Sequence, residues 1–175
     1  GALGARIATA TGIKRAERWL ADEPFVVANG DSLLELPLRD VLEFHTARGG
    51  VATMALRVPA VGDDPSRVDV DEDDRVRRIA GLPPGASAAG CRALMFPGLH
   101  VFEPDVFRFM PAAGAFGIVR ATYPALLEAG RPVYGFVTQA RWLTIDTAPA
   151  LTAADAAFRA APFAYRAAWE RLTDP

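Results

Sequence analysis

Phe25-Val26-Val27-Ala28-Asn29-Gly30-Asp31-Ser32 is the stretch whose reading decides the architecture. Four apolar residues end abruptly in a polar corner, the pattern of a buried, parallel-type strand with a turn at its carboxyl end. Upstream, Ile13, Ala16, Trp19 and Leu20 recur at helical spacing. Downstream, Leu38, Val41, Leu42, Phe44 and His45 fit an amphipathic helix that stops at Gly49-Gly50. Residues 51–58 alternate and are rich in strand formers, and a hairpin follows, with strands over 68–70 and 75–80 around an acidic turn at 71–74. A Pro/Gly/Ala/Ser loop spans 83–90, and a strand over 94–102 is interrupted at Pro97-Gly98. A helical turn over 103–110 carries Pro104 early, and a helix over 118–129 closes at Gly130. Two last strands fall at 133–137 and 142–145, before an alanine-rich tail over 149–172 that reads as two helices broken at Pro162. Strands alternating with helices predict a three-layer α/β/α sandwich with a mixed sheet.

Composition removes several classes of function. Of 175 residues, 51% are hydrophobic and 23% charged, ample for a core and incompatible with wholesale disorder. No apolar run approaches the roughly 20 residues of a membrane span. One cysteine, Cys91, excludes a disulfide framework and a cysteine-based zinc site, and His45 and His100 are too few for a histidine-rich centre. A net charge of −2 gives no footprint for nucleic acid. Lys14 is the only lysine among 19 basic residues, the mark of a GC-rich genome, and arginine is not its equivalent on a phosphate. No signal peptide is visible in the first residues, which makes the cytoplasm the default compartment. The chain opens on Gly1, a hint of a longer product.

Two strand ends can carry chemistry, since ligands of open α/β sheets settle beyond the carboxyl ends of the strands. At Asn29-Gly30-Asp31 glycine lets backbone approach a ligand and aspartate offers a hard carboxylate, a fit for Mg²⁺ shared with phosphates. The bland alternative is a simple turn. At Trp142-Leu143-Thr144-Ile145-Asp146-Thr147 the bland alternative is that Asp146 and Thr147 cap the next helix. His45 and His100 read as packed side chains, Cys91 as a small loop residue, Asp69 to Asp74 as a solvated acidic turn, and Trp19, Trp142 and Trp169 as core or interface anchors.

Taken in order, the segments resemble a known family. Ile7-Ala8-Thr9-Ala10-Thr11-Gly12-Ile13 is similar to its Leu-Gly-Thr-Ala-Gly-Gly-Ile. Then come Asp22-Glu23-Pro24 with the Phe25–Asp31 stretch, Phe44-His45, Asp64-Pro65-Ser66-Arg67, Asp71-Glu72-Asp73, His100-Val101-Phe102-Glu103-Pro104-Asp105, Tyr123-Pro124, Gly135-Phe136-Val137 and Trp142-Leu143. The collinear series resembles the nucleotidyltransferase family of NDP-sugar pyrophosphorylases, nearest the mannose-1-phosphate guanylyltransferase-like branch. The resemblance implies a glycosyltransferase-A-like, Rossmann-related fold that lacks its amino-terminal part, with a partial nucleotidyltransferase domain over 1–160 and a helical tail over 161–175. It implies that sugar-1-phosphate and NTP become NDP-sugar and pyrophosphate by in-line attack at the α-phosphorus, with Mg²⁺ as cofactor. Asp31 takes the catalytic and first metal position, and Thr9, Gly12, Asn29, Gly30 and Gly98 the substrate-binding ones. GTP and mannose-1-phosphate are the branch's leading substrates, with base and sugar left open; neither nucleic acid nor membrane is implied as a partner, and the carboxy-terminal helices leave a homo-oligomer open.

The departures bear on activity. The Gly-rich loop with its Arg and Lys is absent, the Glu-Lys-Pro segment aligns near Gly81-Leu82-Pro83 without its lysine, and Asn-Ala-Gly aligns with Phe96-Pro97-Gly98. Trp-x-Asp-Ile-Gly-Thr-Pro aligns with Trp142-Leu143-Thr144-Ile145-Asp146-Thr147-Ala148, so Thr144 replaces the second metal aspartate. A neutral hydroxyl is a poor partner for Mg²⁺. Asp146, two residues on and on the same strand face, is the candidate surrogate, about 6–7 Å further along. The alternative is a degenerate, non-catalytic relative that binds a nucleotide sugar or pairs with an active subunit.

Overall fold

The computed structural model describes residues 9–59 and 67–164. Its centre is β3 (Ala52–Arg57), whose first five residues are all buried. The sequence alternation over this strand is therefore not an inside–outside one: helices cover both faces.

β7 (Leu99–Phe102) runs antiparallel beside β3, with Thr53 opposite Val101 and Met54 opposite His100. β1 (Phe25–Ala28) runs antiparallel to β7, Phe25 facing Phe102 and Ala28 facing Leu99. β8 (Val133–Thr138) runs parallel to β3 over its whole length, from Ala52↔Val133 to Arg57↔Thr138. Gly135 permits this spacing, since a Cβ there would stand 2.5 Å from Leu56 Cδ1. β6 (Arg92–Met95) continues the β7 side of β3 through Arg57↔Met95, so the Phe96-Pro97-Gly98 break splits one run into two strands.

β4 (Arg67–Val70) and β5 (Val76–Ile79) form the expected hairpin on β6, and its tip curls back so that Gly135 N–H donates to Asp74 O at 2.8 Å. The sheet is thus mixed and curled, as the strand and helix alternation implied. β1 departs from expectation: among the described residues its only strand partner is β7, an antiparallel one, and Val26 is 40% exposed.

Pleat alternation assigns the two helical layers. On the Thr53 face lies α3 (Leu38–Arg48), whose buried His45 shares a hydrogen bond of 2.8 Å between Nδ1 and Thr53 Oγ1 and reaches Glu103 Oε1 at 3.2 Å with Nε2. α3 ends where Gly49 turns left-handed at φ 61°. The other face carries His100, stacked against Tyr123 at the start of α4 (Tyr123–Glu128), and Phe102, tilted against the same ring. A π-helical turn, Ile118–Thr122, leads into α4. α1 (Thr9–Arg15) and the 3₁₀ turn Pro104–Phe109 close this layer, Phe25 stacking on Phe107 with ring centres 5.4 Å apart.

The acidic hairpin is a solvated face only at its tip, where Glu72 and Asp73 are exposed. Asp69 is 1% exposed and held by Arg67 and Arg78, each at 2.8 Å; Asp71 is held by Arg77, and Asp74 by Arg48 and Arg92. Trp19 is the opposite case: instead of anchoring a core it is 67% exposed, on the short helix α2 (Glu17–Leu20) under the Arg18 guanidinium. Trp169 and the second helix of the tail lie outside the described residues.

Candidate functional site

Since β1 and β3 are both antiparallel to β7, and β8 is parallel to β3, the carboxyl ends of β1, β3 and β8 point to one edge of the sheet. That edge presents Asn29, Arg57 and Thr138 beyond or at the strand ends.

Two of the sequence-derived site residues meet there directly. Asn29 N–H donates to Gly98 O at 2.8 Å, and a Cβ on Gly98 would lie 2.7 Å from Asn29 Nδ2. Gly98 also has φ 106°, so both space and backbone conformation demand glycine.

The polar corner does not end in a turn alone. After Asp31 the chain enters β2 (Ser32–Leu34), a strand the sequence reading omitted, which pairs antiparallel with β9 (Trp142–Thr144) in a separate two-stranded sheet. Ser32 faces Thr144, and the ladder extends past both strands through Ile145 N–H to Asp31 O and Glu35 N–H to Arg141 O, both 2.9 Å. The two segments singled out from sequence, 110 residues apart in part, therefore share one ladder end. Asp31 lies opposite Ile145, between Thr144 and Asp146 in sequence, and continuing the register sets Asp146 opposite Gly30, where a Cβ would meet nothing within 4 Å. Asp31 and Asp146 are exposed, and neither side chain makes a hydrogen bond or ion pair with another described residue.

Thr147, not Asp146, caps the following helix α5 (Ala148–Ala160), its hydroxyl accepting from Ala150 N–H at 3.3 Å. This leaves Asp146 without the capping role that was its bland reading. Thr9 and Gly12 fall within α1 rather than in a loop.

Among the described residues no group of three or more His, Cys, Asp or Glu is placed to hold a metal. Mg²⁺ does not require one, since one or two carboxylates with substrate phosphates and water suffice. Asp31 and Asp146 are carboxylates of that kind. A cavity of about 520 Å³ is lined by Asp71, Arg75, Arg77, Cys91 and Arg131 among others, and none of the strand-end residues lines it.

His100 adjoins the site but takes no acid–base part. Burial holds its pKa down at about 3, so the ring is neutral, and its Nδ1 shares a hydrogen bond of 2.6 Å with Tyr123 Oη. Burial also pushes the Tyr123 hydroxyl well above its ordinary value. Arg57 was missed by the sequence reading. The only signal for it is a basic residue closing an otherwise apolar strand.

The sequence profile described as nucleotidyl transferase matches residues 4–160. The chain belongs to the nucleotidyl transferase family. A mannose-1-phosphate guanyltransferase of Pichia angusta is 33% identical over 146 residues, covering 79% of this chain and 38% of that protein. A UTP–glucose-1-phosphate uridylyltransferase of Synechocystis is 24% identical over 149 residues, covering 84% and 38%. This nucleotidyl transferase chain thus spans 38% of the length of both relatives. Its fold is that of the UDP-glucose pyrophosphorylase of Acinetobacter baumannii, with TM-score 0.68 at 14% identity, covering 95% of this chain and 62% of that one. The glycosyltransferase-A-like expectation is met. Among the described residues, no helix is long and apolar enough to cross a membrane.

Proposed function

We propose that the protein to which these 175 residues belong transfers a nucleotidyl group from an NTP to a sugar-1-phosphate, releasing pyrophosphate, in the cytoplasm. The observation that supports this reading is the ladder end, where Asp31 O accepts from Ile145 N–H and so joins the segment of Asp31, two residues past the Asn29–Gly98 contact, to the segment of Asp146. In-line displacement at phosphorus asks the protein chiefly for positioning and charge neutralisation.

In this reading Asp31 holds Mg²⁺, with Asp146 as second carboxylate in place of the aspartate that Thr144 replaces. The ion supplies positive charge against the phosphates. Asn29, Gly30 and Gly98 form the floor on the sugar and nucleotide side, where missing or small side chains let substrate lie on backbone. Thr9 and Gly12 complete the substrate side from the start of α1. GTP with mannose-1-phosphate is the leading pair, favoured by the guanylyl-transferring relative at 33% identity. A homo-oligomer joined through the carboxy-terminal helices belongs to the same proposal.

Calorimetric titration of GTP, UTP and dTTP with Mg²⁺ tests it. Binding of at least one nucleotide is expected, and Asp31→Asn should remove its Mg²⁺ dependence, with a tenfold or greater loss. Asp146→Asn should weaken Mg²⁺ while Thr144→Ala changes little. A folded sample that binds none of the three sinks the reading. One observation favours a second reading: a hydroxyl at Thr144 where a metal carboxylate is expected. A non-catalytic nucleotide-sugar-binding relative would bind ligand and show no turnover even in the full-length protein.

A further inference from the structure

We propose that Ser32, Thr144 and Trp142, along one face of the β2–β9 ladder, recognise the hydroxyls of a sugar ring in the substrate. The inference rests on the nucleotidyl-transfer reading above and deepens it, since that reading gives none of the three a ligand.

The placement follows from strand register. Ser32 pairs with Thr144, and Leu34 with Trp142. Directly opposed residues of an antiparallel pair point to the same side and successive ones alternate, so these four side chains share one face of the ladder. Leu33 and Leu143 take the other face. The Trp142 ring centre lies 5.7 Å from the guanidinium carbon of Arg57, the last residue of β3. The face that carries Trp142 therefore looks on the carboxyl edge of the main sheet. Asn29, which donates to Gly98 O at that edge, stands three residues before Ser32.

Three polar groups on this face are unmet. The Ser32 and Thr144 hydroxyls belong to half-buried residues opposite each other, and neither makes a hydrogen bond with another described residue. Trp142 Nε1–H, two residues before Thr144, is buried and has no partner among the described residues either. A buried donor left unmet is rare and marks a place where a partner is wanted. All three groups are uncharged. A neutral hydroxyl is a poor partner for Mg²⁺, and none of the three brings the positive charge that favours a phosphate. Each hydroxyl both donates and accepts, as a sugar hydroxyl does. Two of them side by side, with Cβ atoms about 4.5–5.5 Å apart, can reach neighbouring hydroxyls of one ring. Such a pair rejects a ring that leaves its own groups unpaired, which makes it a determinant of specificity.

The ring is either the hexose of the sugar phosphate or the ribose of the nucleotide. Separate titrations into the full chain distinguish them, one arm with mannose-1-phosphate and glucose-1-phosphate, the other with GTP, UTP and dTTP in Mg²⁺. Ser32→Ala combined with Thr144→Val is expected to weaken one arm about ten- to a hundredfold, at about three- to tenfold for each neutral hydrogen bond lost. Inorganic phosphate, titrated alone, should bind the variant as it binds wild type. Thr144→Ser, which keeps the hydroxyl, should retain the affinity that Thr144→Val loses, and this pair of single variants serves if the double variant does not fold. Unchanged affinity in both arms overturns the proposal. So does an equal loss in both arms, the mark of a scaffold role, or a loss shared with inorganic phosphate or with Thr144→Ser. Wild-type chain that binds no ligand of either arm removes the nucleotidyl-transfer reading and this inference with it, whereas wild-type binding with indifferent hydroxyls removes this inference alone.

Discussion

Gly98 is where a single residue does most to shape the site. At φ 106° an L side chain is strained, and its Cβ would collide with Asn29 at 2.7–2.8 Å. Gly98→Ala should destabilise the fold by about 2 kcal/mol, read as a fall in melting temperature, and should also displace Asn29 and weaken whatever ligand the strand-end rim binds. A variant with unchanged melting temperature and affinity would show that Asn29 moves aside without cost. Gly98 was visible in sequence because Pro97-Gly98 interrupts an apolar run. Its contact with Asn29 was not, since the two stand 69 positions apart in the chain and only the pairing of β1 with β7 brings them level.

At the scale of elements, the two-stranded ladder of β2 and β9 is the piece that assembles the site, and one arginine ties it to α5. Arg141 donates through Nη1 to Ala161 O and through Nη2 to Ala157 O at 2.9 Å, with its guanidinium carbon 4.6 Å from the Phe163 ring centre. Ala157 O also accepts from Ala161 N–H at 3.1 Å, which closes the last turn of α5, and Ala161 is the residue just beyond the helix, so Arg141 fastens the helix end from outside. Arg141→Ala should therefore lower amide protection in α5 by tenfold or more in hydrogen exchange while protection in β3 and β7 holds. Equal loss in the sheet would mean that α5 and the core unfold together. Sequence periodicity found β9 and α5 because both are regular. It omitted β2, whose three residues follow a polar turn and carry no alternation long enough to detect.

At the scale of the molecule, acid acts in two separable windows. His100 is buried and neutral with a pKa of about 3 against 6.5 when free, so between those values the unfolded chain binds the extra proton. Stability then falls as pH drops below 6.5, at up to about 1.4 kcal/mol per unit. Burial raises the carboxyl pKa of Asp69 and of Asp71. The hydrogen bonds and charges of Arg67 and Arg78 on Asp69, and of Arg77 with the backbone of Arg75 on Asp71, outweigh it and leave both below 3.8. Their contribution is present above 3.8 and is lost as pH falls through the lowered values. Urea unfolding at pH 7, 5.5, 4.5, 3.5 and about 2.5 should show both limbs, and His100→Phe should flatten the upper one only. Identical slopes in variant and wild type between pH 6.5 and 4.5 would exclude His100 as the source.

What the sequence determined by itself is most of the elements and the family. Apolar period, glycine stops and the collinear motif series act locally or in order along the chain, so they are legible one segment at a time. What only the tertiary structure decided is adjacency. The β1–β7 register brings Asn29 to Gly98, the β2–β9 ladder sets Asp31 opposite Ile145, between Thr144 and Asp146, and the end of β3 brings the Arg57 guanidinium carbon to 5.7 Å from the Trp142 ring centre. The same holds for Asp69, an ordinary acidic turn residue in sequence that burial between two arginines turns into part of the core. Each depends on contacts between segments far apart in the chain, and these are fixed by which faces can be buried together, a property of the packed sheet and its helices rather than of any one stretch.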